Sequence, residues 1–113
     1  MGVETNFECR ELWGKILNTF KCKETELHTN PLTSATPRWF TVYSEAGCMY
    51  VFSAKINKPA SKISHPRRLC YSEFEKMYPI YLKRKAGYAV SAEATSTSRN
   101  QVYWYAILKY CSL

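Results

Sequence analysis

Residues 38–54 read RWFTVYSEAGCMYVFSA, and this stretch decides the fold. Two runs, 38–44 and 48–54, are rich in β-branched and aromatic residues, which suit a pleated strand. Glu45, Ala46 and Gly47 separate them, and Gly47 can supply the positive φ that a tight hairpin turn requires. The pattern predicts an antiparallel hairpin over 38–54. Successive side chains in a strand point to opposite faces. Trp39, Thr41 and Tyr43 therefore share one face, and Phe40 and Val42 share the other. Both faces are apolar enough to pack.

Working outward, residues 6–21 predict an amphipathic helix. Cys9, Leu12, Trp13, Ile16, Leu17 and Phe20 recur at the spacing of one helical face. Thr5 and Glu8 fit a capping box at its start. Gly14 weakens this helix by about 1 kcal/mol relative to alanine, a cost that packing offsets. Residues 22–37 are polar and broken by Pro31 and Pro37, so they read as a long loop with a short strand near Leu27. After the hairpin, residues 55–66 hold Pro59 and Pro66 and read as a loop or irregular edge strand.

Ser72 and Glu75 form a second capping-box pattern, opening a helix over 73–85. Phe74, Met77, Tyr78, Tyr81 and Leu82 fall on one of its faces. Pro79 is expected to kink or break it, because proline removes a hydrogen bond and crowds the preceding turn. Gly87 suits the C-terminal stop. Residues 88–92 read as a short strand, and 91–98, SAEATSTS, as a flexible polar loop. The run 102–108, VYWYAIL, suits helix or strand. Ser98 and Gln101 as a cap, with Val102, Tyr103, Ala106, Ile107 and Tyr110 on one face, favour helix. Together these elements predict one α+β domain over residues 1–113. A small antiparallel sheet around the hairpin packs with an N-terminal helix and two C-terminal helices.

Composition narrows the function. A chain of 113 residues can bury a core without staples. It has no apolar run of about 18 residues and no basic start followed by an apolar stretch, so neither membrane insertion nor secretion is expected. Asn6 stands where a myristoylation signal wants Ser or Thr, which sets lipidation aside. The five cysteines, at 9, 22, 48, 70 and 111, are odd in number and widely spaced. They read as reduced thiols in a cytoplasmic protein, with no CxxC pair for zinc. The nine acids are all glutamates. Magnesium sites usually include aspartate, so neither a metal nor any other cofactor is expected.

Charge is the strongest functional signal. The net charge is +7, and residues 55–85 carry nine lysines and arginines against two glutamates. The chain on either side is close to neutral. Such a patch is the footprint of a polyanion partner. Lys55, Lys58, Lys62, Arg67 and Arg68 lie in loop-like sequence with His65 beside them, and Lys83, Arg84 and Lys85 close the following helix. Spaced cations of this kind bind phosphate backbones, and Tyr71, Tyr78 and Tyr88 lie near enough in sequence to stack on bases. The plainer alternative is that the cations solvate a surface and the tyrosines are buried.

Arg99 and Asn100, with Gln101, sit where early helical residues read base edges. A polar first turn explains them equally well. His65 could act as acid or base of a metal-independent ribonuclease, with Lys62, Arg67 or Arg68 stabilising phosphate charge and Glu93 supplying a base. Cys70 lies near Arg67 and Arg68, which would lower a thiol pKa, but it lacks an orienting partner. The expectation is a nucleic-acid-binding protein, for DNA or RNA, using the 55–85 patch. An interaction or inhibitor module that docks on an acidic protein is the first alternative, and the ribonuclease is the second. A short sheet and many aromatics leave room for a homodimer.

Overall fold

The computed structural model describes residues 2–21, 23–31 and 36–113, with residues 2–7 as backbone alone. The chain runs α1 (Gly2–Thr19), β1 (Thr25–His28), β2 (Trp39–Glu45), β3 (Cys48–Ser53), β4 (Arg67–Leu69), α2 (Tyr71–Lys85), α3 (Ser91–Thr97) and α4 (Gln101–Tyr110). The strands form one antiparallel sheet in the order β1-β2-β3-β4. The fold is α+β, as the sequence predicts, with the hairpin at its centre.

The hairpin closes through a two-residue turn, with Glu45 paired to Cys48. Ala46 (φ 51°) and Gly47 (φ 78°) are both left-handed, the turn whose twist matches that of the strands. Holding Ala46 there costs about 1–2 kcal/mol, which the ladder on either side offsets. The pairing places Phe40, Val42, Met49 and Val51 on one face, all fully buried, with Leu27 and Leu69 beside them. α1 and α4 pack on the sheet, α2 packs against both, and α3 lies on α2 and α4. Phe40 meets Tyr103 of α4 edge-on at 4.9 Å. Behind it, Trp13, Phe74 and Trp104 form an aromatic cluster with ring centroids 5.4–6.0 Å apart. Trp104 is fully buried and its indole Nε1 donates to Glu73 at 2.6 Å. That bond satisfies a polar group that would otherwise be costly to bury.

Several local expectations need correction. α1 begins at Gly2, so residue 5 lies inside the helix and not at its cap. The Thr5 side chain, like Cys22, lies outside the described residues. Arg67 and Arg68 are not in a loop: they form β4, an edge strand paired with Val51 and Tyr50. Three residues are too few for an alternating pattern to be read from sequence.

α2 starts at Tyr71, with Cys70 as a cap that makes no side-chain bond. Glu75 instead accepts from the Tyr71 hydroxyl at 3.0 Å, so the Ser72–Glu75 box does not form. The helix runs unbroken through Pro79, which is exposed. Glu75, whose carbonyl loses its donor, is only partly buried. Ile80 replaces Leu82 on the buried face, and Leu82 is 43% exposed.

Residues 91–97 are helical where a strand and a loop were expected. Ala94 anchors this short helix in the core, and the Ser96 and Thr97 hydroxyls donate back to the Glu93 carbonyl. The helix over 101–110 is present, but its predicted cap is not. Ser98 Oγ accepts from Asn100 N at 2.9 Å, while Gln101 donates to Thr95 Oγ1 at 3.0 Å. Residues 103–108 are all buried, so the middle of α4 is covered on every side. That is why its sequence also resembles a strand.

The two sheet faces should differ sharply in mutational cost. Phe40→Ala is expected to destabilise by about 3–5 kcal/mol in urea unfolding, whereas Tyr50→Ala, on the opposite face, should cost under about 1 kcal/mol. Equal losses would contradict the face assignment.

Candidate nucleic-acid interface

The face of the sheet turned away from the helices is aromatic. Tyr43 pairs directly with Tyr50 across β2 and β3, with ring centroids 5.3 Å apart and planes 16° from parallel. Phe52, on the same face of β3, meets Tyr43 edge-on at 5.9 Å. All three are half-buried. Arg68 pairs with Tyr50 on the other side, so one row runs Tyr43, Tyr50, Arg68 across three strands. Arg68 is exposed. Burial raises the Tyr43 pKa, as do Glu45, Tyr50 and Glu24 nearby, so its hydroxyl is protonated at neutral pH.

One end of this face is roofed by the segment that follows β3. Glu26 of β1 organises it. Its carboxylate accepts from the backbone N–H groups of Lys55 (3.0 Å), Ile56 (2.9 Å) and Asn57 (2.9 Å), and from the Asn57 side-chain amide at 2.9 Å. Desolvation raises the Glu26 pKa, but the four hydrogen bonds outweigh it and hold the pKa at about 2. Thr41, paired with Glu26 on this face, is only 2% exposed. Further along, the Trp39 N–H donates to the Pro59 carbonyl and the Ser61 N–H to the Trp39 carbonyl, both at 2.8 Å. Ser53 Oγ donates to the Ser61 carbonyl at 2.6 Å and accepts from the Ile63 N–H at 3.0 Å. Residues 55–63 are therefore a pinned strap along the hairpin.

The cations expected to form one patch divide. Lys58 and Lys62 on the strap, His65 just after it and Arg68 on β4 are exposed, and their side chains make no hydrogen bond or ion pair among the described residues. Lys55 pairs with Glu24 at 3.2 Å and lies 5.2 Å from the centroid of the Phe52 ring. Arg67 turns to the helix side, donating to Asn100 Oδ1 at 3.2 Å with its guanidinium 5.7 Å over Tyr103. The helix-end triplet is engaged elsewhere. Lys83 pairs with Glu93 at 3.4 Å, and Lys85 donates to the Leu113 carbonyl at 2.6 Å. Arg84 donates to the Asn30 carbonyl at 2.7 Å and lies 4.2 Å over Tyr105. These three sit at the far end of α2, about 18–21 Å along the helix from its start beside β4. Arg99 is exposed, and Asn100 caps α4 on the helix side.

The tyrosines singled out from sequence are not the ones on the open face. Tyr71 belongs to the Trp13–Phe74 cluster, and Tyr78 stacks on Phe74 at 5.5 Å. Tyr88 is 67% exposed, beside the Arg84 end. Tyr43, Tyr50 and Phe52 were missed, although the period-two alternation of the hairpin already put Tyr43 opposite Phe40 and Val42. Cys70 also departs from expectation. Burial raises its pKa first, the nearby Cys48 thiol raises it further at 3.8 Å between sulfurs, and Arg68 lowers it only in part. No cluster of three or more His, Cys or Glu that could hold a metal exists among the described residues, and none of their helices is long and apolar enough to cross a membrane. No family model, curated protein sequence or solved structure matches this chain.

The Glu26 bonds give a pH dependence of defined sign. The folded pKa is about 2 against an ordinary 4.5, so the stabilisation is complete above about 4.5 and is lost as pH falls toward 2. Glu26→Gln should remove that dependence and speed hydrogen exchange at the Lys55, Ile56 and Asn57 amides at neutral pH. Unchanged exchange at those amides would refute the role given to Glu26.

Proposed function

We propose that this chain is a nucleic-acid-binding protein that grips phosphates with the cations of the strap and β4. The observation that carries the reading is that the exposed side chains of Lys58, Lys62 and Arg68, with His65 between them in sequence, make no hydrogen bond or ion pair among the described residues, and that Arg68 shares a row with Tyr50 and Tyr43, in a chain of net charge +7. Cations that serve the fold tend to be paired or laid on rings, as Arg67, Lys83, Arg84 and Lys85 are. Cations held in place by a pinned backbone but left without partners are suited to a ligand that brings its own negative charge. Such a ligand gains by releasing condensed counterions at each neutralised phosphate. The reading drops the helix-end triplet from the contact surface and keeps the upstream part of the basic segment. It also carries the cytoplasmic setting expected from the odd cysteine count. Docking on an acidic protein and RNA cleavage at His65 have no separate observation in their favour.

Fluorescence anisotropy with a labelled oligonucleotide tests this. Affinity should fall steeply with salt, with a log–log slope of about −0.7 to −0.9 per phosphate contacted. Replacing Lys58, Lys62 and Arg68 together by Glu should weaken binding by about tenfold or more at low ionic strength. Replacing Lys83 and Lys85 by Glu should have a much smaller effect. Absence of binding by the parent protein at low ionic strength would refute the proposal.

A further inference from the structure

We infer that the ligand is single-stranded nucleic acid, an unpaired base of which stacks on the free face of Tyr50, beside Tyr43 and Phe52, while its phosphates lie toward Arg68 and the strap. This rests on the nucleic-acid reading above and adds the class of ligand and its seat. Three observations carry it.

First, the outer face has the wrong chemistry for a face left to solvent. An antiparallel sheet covered on one side normally carries polar residues on the other. Here the middle of the hairpin puts two tyrosines and a phenylalanine there, while α1 and α4 occupy the opposite face. Second, the rings are arranged for stacking. Tyr43 covers one face of Tyr50 at 5.3 Å, which turns the other face toward β4. Arg68 stands exposed on that strand and does not lie on the Tyr50 ring, although four other cations do lie over rings in this molecule. The β4 side of the Tyr50 ring is therefore not covered by the Arg68 guanidinium. Tyr43 fills the β2 side of Tyr50, so a single base can stack on the β4 side of that ring, one strand spacing of about 5 Å away from Arg68.

Third, charge gives the seat a direction. Glu45 acts on Tyr43 while Glu24 there is paired with Lys55, and Arg68 stands without an ion pair at the opposite end of the row. A strand with a base on Tyr50 is therefore driven to place its backbone over β4 and the strap, where Lys62 and His65 are also exposed. A duplex does not fit this seat, because its paired bases offer edges and not faces. The helices that could enter a groove, α1 and α4, are packed on the far side of the sheet.

The experiment compares three probes on the full chain: an unstructured oligonucleotide, its duplex, and inorganic polyphosphate. The parent should bind the oligonucleotide more tightly than the duplex. Tyr50→Ala should weaken the oligonucleotide by about tenfold or more and leave polyphosphate unchanged, while Tyr50→Phe should retain parental affinity because stacking does not need the hydroxyl. Circular dichroism confirms that both variants fold. If Tyr50→Ala binds the oligonucleotide as the parent does while Arg68→Glu does not, stacking is refuted and the charge-based reading stands. If the parent binds none of the probes at low ionic strength, the underlying reading falls. Sedimentation adds one more outcome: a dimeric parent made monomeric by Tyr50→Ala would assign this face to a second copy of the chain and overturn the inference.

Discussion

In β2 and β3 the turn at Ala46 and Gly47 locks Glu45 to Cys48, and every later pairing of the hairpin follows from that one. With this register Phe40, Val42, Met49 and Val51 all point at the helices, and Tyr43, Tyr50 and Phe52 all point away. A slip of one residue would exchange the two sets. The aliphatic set would then meet water, and α1 and α4 would lose the surface on which they pack. Core, helix placement and candidate site thus depend on one register.

The second organising contact is the Glu26 carboxylate. Residues 54–58 include no regular ladder, yet three consecutive backbone N–H groups there have a single charged acceptor. Charge-assisted bonds of this kind are stronger than neutral ones. They hold the start of the strap over the sheet end, and the strap presents Lys58 and Lys62 to solvent. An acidic residue thereby positions a basic surface, which composition alone does not reveal.

Much of the fold was legible. The alternation over 38–54, the apolar spacing in α1 and the strand at Leu27 all act locally, so the sequence expresses them directly. What stayed hidden depends on tertiary contact. β4 is three residues long and exists because Val51 and Tyr50 have a free edge beside them. α3 is a polar stretch made helical around one buried alanine. The caps at Ser72 and Ser98 matched a pattern, but Glu75 accepts from Tyr71, Ser98 from the Asn100 N–H, and Gln101 donates to Thr95. For the site, the cations could be counted but not their partners. Arg67 and Arg68 adjoin in sequence, and the pleat sends them to opposite faces of the sheet. The aromatic set follows from the alternation over 38–54, whereas Tyr71 and Tyr78, which adjoin the positive charge in sequence, serve the helix interface.

We propose the outer sheet face as the seat of an unpaired nucleic-acid strand, oriented by charge and held by rings that the core does not use. Photo-crosslinking with an oligonucleotide carrying a photoreactive base addresses this most directly, because it records which side chains touch bases. Mass spectrometry of the digested adduct should place the crosslinks on Tyr43, Tyr50 or Phe52. Adducts confined to Tyr88 or to the helix-end residues Lys83, Arg84 and Lys85 would contradict the account.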